Sequence, residues 1–229
     1  KYVPDIEVRR AIMKAMNVNM TAQYYTEALA EVIYRPMSIT SWAYPKDANG
    51  KPVGVYEGLE FTTKKDEIIE MVDSAGWSRI GNGVFTNDDT GKPLKITFTI
   101  AGDTKEHPAY SMFVSAAQFL NVCGFDVEVI TDVSALRKLA TGELEVWAAA
   151  WSSAIDPDLY QVYHKDSKAT SVKNWGYDLI LNDNTGEFNE EKEIIYKLSD
   201  LIDAARETTV RKDRTEYYAE ALDLIMELA

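Results

Sequence analysis

Cysteine is nearly absent from this chain. Cys123 is the only one, so no intrachain disulfide framework exists. Within its apolar helical pattern it reads as an inert core thiol. Histidine is scarce: His107 and His164 lie far apart, and no Cys or His cluster has metal-site spacing. Basic charge is short, with 24 Lys and Arg against 37 Asp and Glu and a net charge of −13. That balance argues against a nucleic-acid or anionic-membrane surface. No apolar run reaches the roughly 18 residues of a spanning helix. There is no P-loop and no G-x-S-x-G elbow. Gly81-Asn82-Gly83 follows no strand pattern and precedes no helix, so it is a turn rather than a nucleotide fingerprint. Internal repeats, low-complexity tracts and convincing linkers are also missing.

What is present suffices for a sizeable core: 46% of the 229 residues are hydrophobic. One α/β domain is the economical reading. Asp5 caps a predicted helix to about Asn17, with Val8, Ile12, Ala15 and Met16 on one face. A second helical pattern runs from about Met20 to Ile33, striped by Tyr25, Leu29, Val32 and Ile33 and stopped by Pro36. Met37 to Glu60 is a long aromatic loop; Trp42 and Tyr44 either pin it to the core or mark a functional segment. Thr63 is the expected cap of a helix to Ala75, with Gly76 just past its end. From Leu94 to Trp151 the pattern reads strand, helix, strand, helix, strand. Leu94, Ile96, Phe98 and Ile100 face one way, and a helix from about Pro108 to Cys123 is closed by Gly124.

The stretch that organises the rest is Leu144 to Tyr160, LEVWAAAWSSAIDPDLY. Its first eight residues are apolar or small apart from Glu145, as in a strand covered on both faces. It then opens at Trp151 into Ser152, Ser153, Ala154 and Ile155, followed by Asp156-Pro157-Asp158. Ligand sites in α/β sheets lie outside strand C-termini, which makes this the candidate site. The plainer alternative is that Trp147 and Trp151 are core and Asp-Pro-Asp starts a helix. Ser152 and Ser153 lack the sharp glycine turn that exposes a nucleophile. Acid-rich composition leaves a carboxylate pair open. Asp156, Asp158 and Asp183 are the acids that can be imagined on a divalent cation, but without an EF-hand pattern. Two helices finish the chain, striped by Ile194, Leu198, Leu201, Ile202 and Ala205, then by Tyr217, Tyr218, Ala221, Leu222 and Ile225.

Several of these segments together resemble a known family. Val8-Arg9-Arg10-Ala11-Ile12 with Ala15 is similar to a V-R-x-A-[IL]-x-x-A helix. Ala75-Gly76-Trp77, Gly83-Val84-Phe85 and Gly91-Lys92-Pro93-Leu94 are similar to A-G-W … G … G-x-x-L. Gly124-Phe125-Asp126-Val127-Glu128-Val129 matches G-[IF]-x-V-E-V, Trp151 with Asp156-Pro157-Asp158 matches W … D-P-D, and Asn174, Gly176 and Tyr177 resemble N-x-x-G-Y with one residue fewer between Asn and Gly. Arg214 and Tyr218 match R-x-x-x-Y. In order and spacing the chain resembles the extracellular solute-binding proteins of bacterial ABC importers, in the oligopeptide, dipeptide and nickel-binding family.

That resemblance implies an α/β, periplasmic-binding-protein-like lobe with a mixed sheet flanked by helices. Residues 1–229 would form a single ligand-binding lobe, inserted in the chain of a second lobe. Helical patterns run to both ends, so the chain is expected to be cut from a longer one, with any targeting signal upstream. By the family match, Ala150, Trp151, Ser152 and Ser153 line the cleft and bond a ligand as an added strand. Asp156 and Asn174 are further candidate contacts. Many peptide-binding members place an acid within a few residues of this Trp, against the ligand's ammonium; here the first acid is Asp156. The implied partners are a peptide or other small solute and ABC permease subunits. No nucleic acid and no cofactor is implied, and the membrane is met only through a lipoprotein-type anchor outside the chain. The implied location is the extracellular face of the membrane or the periplasm. The alternatives are a sensor or adhesin on the same fold and, from acid content alone, a carboxylate-based hydrolase.

Overall fold

The strand from Lys95 to Ala101 organises the sheet. In a computed structural model, which describes residues 3, 5–25, 29–150, 152, 155–169 and 173–229, Ile96, Phe98, Thr99 and Ile100 of this strand are all buried. The chain divides into two compact units. The first comprises Lys1–Val32, Glu57–Leu139 and Glu143–Ala149; the second comprises Ile33–Tyr56, Ala140–Gly142 and Ala150–Ala229.

The first unit opens with helix α1 (Ile6–Ala15). Asp5 caps it, its Oδ1 accepting from the N–H groups of Glu7 and Val8 at 3.0 and 3.2 Å. Val8, Ala11, Ile12 and Ala15 recur at helical spacing and are buried. The other oxygen of Asp5 accepts from the Trp77 indole N–H at 3.1 Å, so one carboxylate caps a helix and fixes an aromatic. Helix α2 is short (Asn19–Ala22). The expected helix from Met20 to Ile33 does not form: residues 29–33 are non-helical, and Tyr25, Leu29 and Ile33 are exposed. Its stripe had no core to meet, and isolated short helices are marginal in water. Helix α3 (Lys65–Ser74) starts one residue later than expected, after Lys64. Thr62, not Thr63, organises that start, its hydroxyl accepting from Lys64 N–H at 3.1 Å and donating to Glu67 at 2.8 Å.

Strands β1 (Trp77–Ser78) and β2 (Thr86–Asn87) pair antiparallel. The main sheet is parallel and runs β4 (Asp126–Asp132), β3 (Lys95–Ala101), β5 (Val146–Ala148). Helix α4 (Tyr110–Cys123) crosses from β3 to β4, and α5 (Ala135–Ala140) follows β4, so the crossovers are the helical ones that parallel strands need. Helix α4 ends at Gly124 with φ +113°. A Cβ there would lie 3.1 Å from the Gly83 carbonyl and the Phe85 ring, so glycine is favoured by its conformation, and a side chain would also be crowded. Asn121 staples the exit, bonding both the N–H and the C=O of Val127 at 2.7 and 3.1 Å. β5 is much shorter than the eight-residue run suggested, and its residues are only half-buried. Among the described residues it pairs with β3 alone, Phe98 with Val146 through Ile100 with Ala148. Glu145 is what ends the ladder, its carboxylate accepting from Thr97 N–H at 2.7 Å where a strand carbonyl would otherwise stand.

The second unit is built on α8 (Asn189–Glu207) and α9 (Arg211–Glu227), with α6 (Tyr160–Tyr163) and α7 (Asp178–Asn182) before them. Leu198, Ile202 and Ala205 of α8 and Tyr218, Ala221 and Leu222 of α9 are completely buried. The small residues let the two helices approach. The segment Ile33–Tyr56 belongs to the same core through Met37, Ala43 and Tyr44. The reading of Tyr44 as a pin is therefore correct: it is 1% exposed. Arg35 clamps the segment to α9 through Asp223 at 2.7 Å.

Candidate functional site

The chain leaves β5 and enters the second unit at Ala150. Ala150 and Ser152 are exposed and outside any regular element; Trp151, Ser153 and Ala154 lie outside the described residues. From Ile155 the course is plain. Ile155, Asp156 and Asp158 face solvent, while Pro157 and Leu159 turn inward. The chain bends at Ile155 and Asp156, and Leu159 already has helical dihedrals (φ −90°, ψ −4°) as it leads into the next helix. Asp-Pro-Asp does not itself begin a helix: α6 starts at Tyr160, whose N–H donates to Asp158 Oδ1 at 3.0 Å.

Both aspartates meet arginines of the helical pair. Arg214 Nη2 lies 3.2 Å from Asp156 Oδ1, and Arg206 Nε lies 3.5 Å from Asp158 Oδ2. Arg214 is held on every side. Its Nε donates to the Ala205 carbonyl at 2.9 Å and its Nη2 to the Tyr218 hydroxyl at 3.3 Å. The guanidinium also lies 5.3 Å from the centre of the Trp42 ring. The hydrogen bond to Tyr218, then the Asp156 charge, favour the charged arginine and raise its pKa; burial raises that of the Tyr218 phenol. Arg206 sits 4.2 Å above the Tyr160 ring, which itself stacks on His164 at 4.2 Å. An open cavity of about 540 Å³ is lined by Asp156, Asp158, Arg206, Thr208, Thr209 and Arg214.

Asn174 stands elsewhere in this unit. Its side-chain amide donates to the Ala140 carbonyl at 2.5 Å. Gly142, at φ +71°, lies so near that a Cβ would collide with the Asn174 carbonyl. The rest of the Asn174-Trp175-Gly176-Tyr177 segment is structural too. Gly176 adopts φ 121° within the π-type turn Lys173–Tyr177, and the Tyr177 hydroxyl donates to the Tyr163 carbonyl at 2.9 Å. Burial raises the phenol pKa of both tyrosines, that of Tyr163 to about 12. The structure thus ties Asp156 to Arg214 and Asn174 to Ala140.

Sequence reasoning missed Arg206, singled out Trp42 only as a residue of the aromatic loop, and left Arg214 as a motif without a task. One signal was available. Arg214 and Tyr218 are four apart, hence on one helical face, and a basic residue on an otherwise packed face calls for an acid. Among the described residues no group of three or more His, Cys, Asp or Glu is placed to hold a metal ion, and no helix is long and apolar enough to cross a membrane.

A parallel β4-β3-β5 sheet flanked by helices, with its last strand opening into an exposed segment, is the architecture of the periplasmic binding proteins. The chain belongs to the bacterial extracellular solute-binding proteins, family 5, matching the middle portion of that family over residues 1–173. It is 26% identical over 208 residues to the oligopeptide-binding protein AppA of Bacillus subtilis, covering 84% of this chain and 36% of that protein. The structure of that AppA in complex with a nonapeptide superposes with a TM-score of 0.72 at 22% identity, over 98% of this chain and 40% of the other. NikZ from Campylobacter jejuni, in complex with Ni(L-His), gives 0.68 at 18% identity, over 97% and 40%. The chain therefore spans well under half the length of the relatives it matches.

Proposed function

We propose that the chain is one ligand-binding lobe, residues 1–229, of the substrate-binding component of an ABC importer. The complete receptor captures oligopeptides or similar small solutes outside the cytoplasm and delivers them to permease subunits. The observation that carries this reading is the family 5 match over residues 1–173. The AppA relative, oligopeptide-binding by name, favours peptides among the possible ligands. On this reading Ala150, Trp151, Ser152 and Ser153 border the ligand. An extended peptide takes backbone hydrogen bonds from such a segment, as in strand addition. A second lobe closes over it by hinge motion. Asp156 follows that segment directly and is held by Arg214, whereas Asn174 stands apart, held to Ala140. The protein captures and releases its ligand chemically unchanged.

The test is thermal unfolding of the full-length receptor with di- to hexapeptides, nickel with histidine, and oligosaccharides side by side. Ligand at about 100 times Kd stabilises the folded state by roughly 2.7 kcal/mol. The expected result is a rise in Tm with peptides, and a much smaller one for the isolated 229-residue chain, which buries too little of the ligand. A rise with nickel or sugars alone would replace the peptide assignment. Turnover of any of these compounds would overturn the binding reading itself.

A further inference from the structure

Building on the reading of the 150–153 segment as ligand-bordering, we propose that Arg214 is a positioning residue for ligand capture. It holds Asp156 and, with Arg206 on Asp158, sets the course of the segment that leads out of the site. Asp156 then serves as the tether and not as the counter-ion of a ligand.

Four observations support this. First, the segment is anchored from alternate sides: Pro157 and Leu159 are buried below it, and Asp156 and Asp158 reach the two arginines above. Second, Arg214 has partners of its own besides Asp156. Its Nε is committed to Ala205, its Nη2 also to Tyr218, and its plane to Trp42. A planar guanidinium already fixed in this way loses little freedom on forming one more bond. Third, the ion pair is a poor device for stability alone. Asp156 is exposed, and pairs of that kind contribute about 0–1 kcal/mol. What it does supply is a fixed point for a segment whose described residues Ala150, Ser152 and Ile155 are all exposed. Fourth, Asp156 shares its negative charge with Arg214 at 3.2 and 3.5 Å from the two carboxylate oxygens, so an arriving ammonium would have to compete with a preorganised arginine.

The experiment uses the full-length receptor with one peptide, in free-amine and N-acetylated forms. Kd is measured by calorimetry for wild type, R214A, R214K, D156N and the D156N/R214A double variant. Hydrogen exchange over residues 150–158 is followed without ligand. A tether predicts that R214A and D156N each weaken both peptide forms alike, by roughly 10-fold. The double variant should lose about the same and not 100-fold, because the two residues act as one unit. R214K, which keeps the charge but not the planar fork, should recover only part of the loss. Exchange over 150–158 should speed up in R214A while α8 stays protected. A D156N loss confined to the free-amine peptide would overturn the proposal and make Asp156 a ligand counter-ion. Unchanged exchange over 150–158 in R214A would overturn it whether or not peptide binds. Failure of the wild-type receptor to bind either peptide form is a different result: it counts against the peptide reading above, and the exchange measurement still decides the tether.

Discussion

Asp183 shows how much one half-buried carboxylate can organise. It accepts from the Thr185 hydroxyl at 2.6 Å and from the backbone N–H groups of Thr185, Gly186 and Phe188 at 3.0, 2.9 and 3.4 Å. The Thr185 hydroxyl first, then those N–H groups, pull its pKa from 3.8 down to about 2. A carboxyl group with a depressed folded-state pKa contributes stability above its unfolded value and loses it as pH falls through the folded one. The stability gap between wild type and D183N should therefore be full above about pH 4, narrow between pH 4 and pH 2, and close below that. Urea unfolding across this range measures it; a gap independent of pH would refute the assignment. As a candidate cation ligand Asp183 looked the same in sequence as Asp156 and Asp158. Only the folded loop shows that its own N–H groups already occupy both oxygens. Asn174 teaches the same lesson, since its partner Ala140 lies 34 residues away and no local pattern announces it.

At the scale of elements, Glu145 is the instructive case. Along the sequence it is the one charged break in an apolar run; in the sheet it takes Thr97 N–H and so fixes where β5 begins. Hydrogen bonds to charged groups are worth about 1.5–3 kcal/mol. E145A is expected to destabilise by an amount in that range. E145Q keeps an acceptor at the same reach and should retain at least half of it. Urea denaturation of the three proteins checks this, and equal losses for both variants would show that the bond does not set the strand. The alternating β3 and the helices α4, α8 and α9 were legible because each buries a periodic face. The Met20–Ile33 pattern was misleading for the converse reason: periodicity reports an apolar face, not whether anything packs on it. In α2, Thr21 turns its hydroxyl onto the Val18 carbonyl at 2.6 Å, the kind of local bond that competes with helix extension.

For the whole molecule, the class was readable from strand–helix–strand order, and family 5 membership agrees with it. The candidate site was half readable. Its strand exit is a local feature, but the arginine that meets Asp156 sits 58 residues on, and pairing over that distance is a product of the fold. Two cores, one around β3 and α4 and one around α8 and α9, share the burial. Cys123 belongs to the first. It is fully buried, and burial raises its thiol pKa, so a disulfide reagent has nothing to react with until that core opens. Being the only thiol in the chain, it is a built-in clock. The rate of labelling in native buffer should follow the opening of the first unit and accelerate with urea. Instant labelling in the absence of denaturant would mean that this core breathes freely.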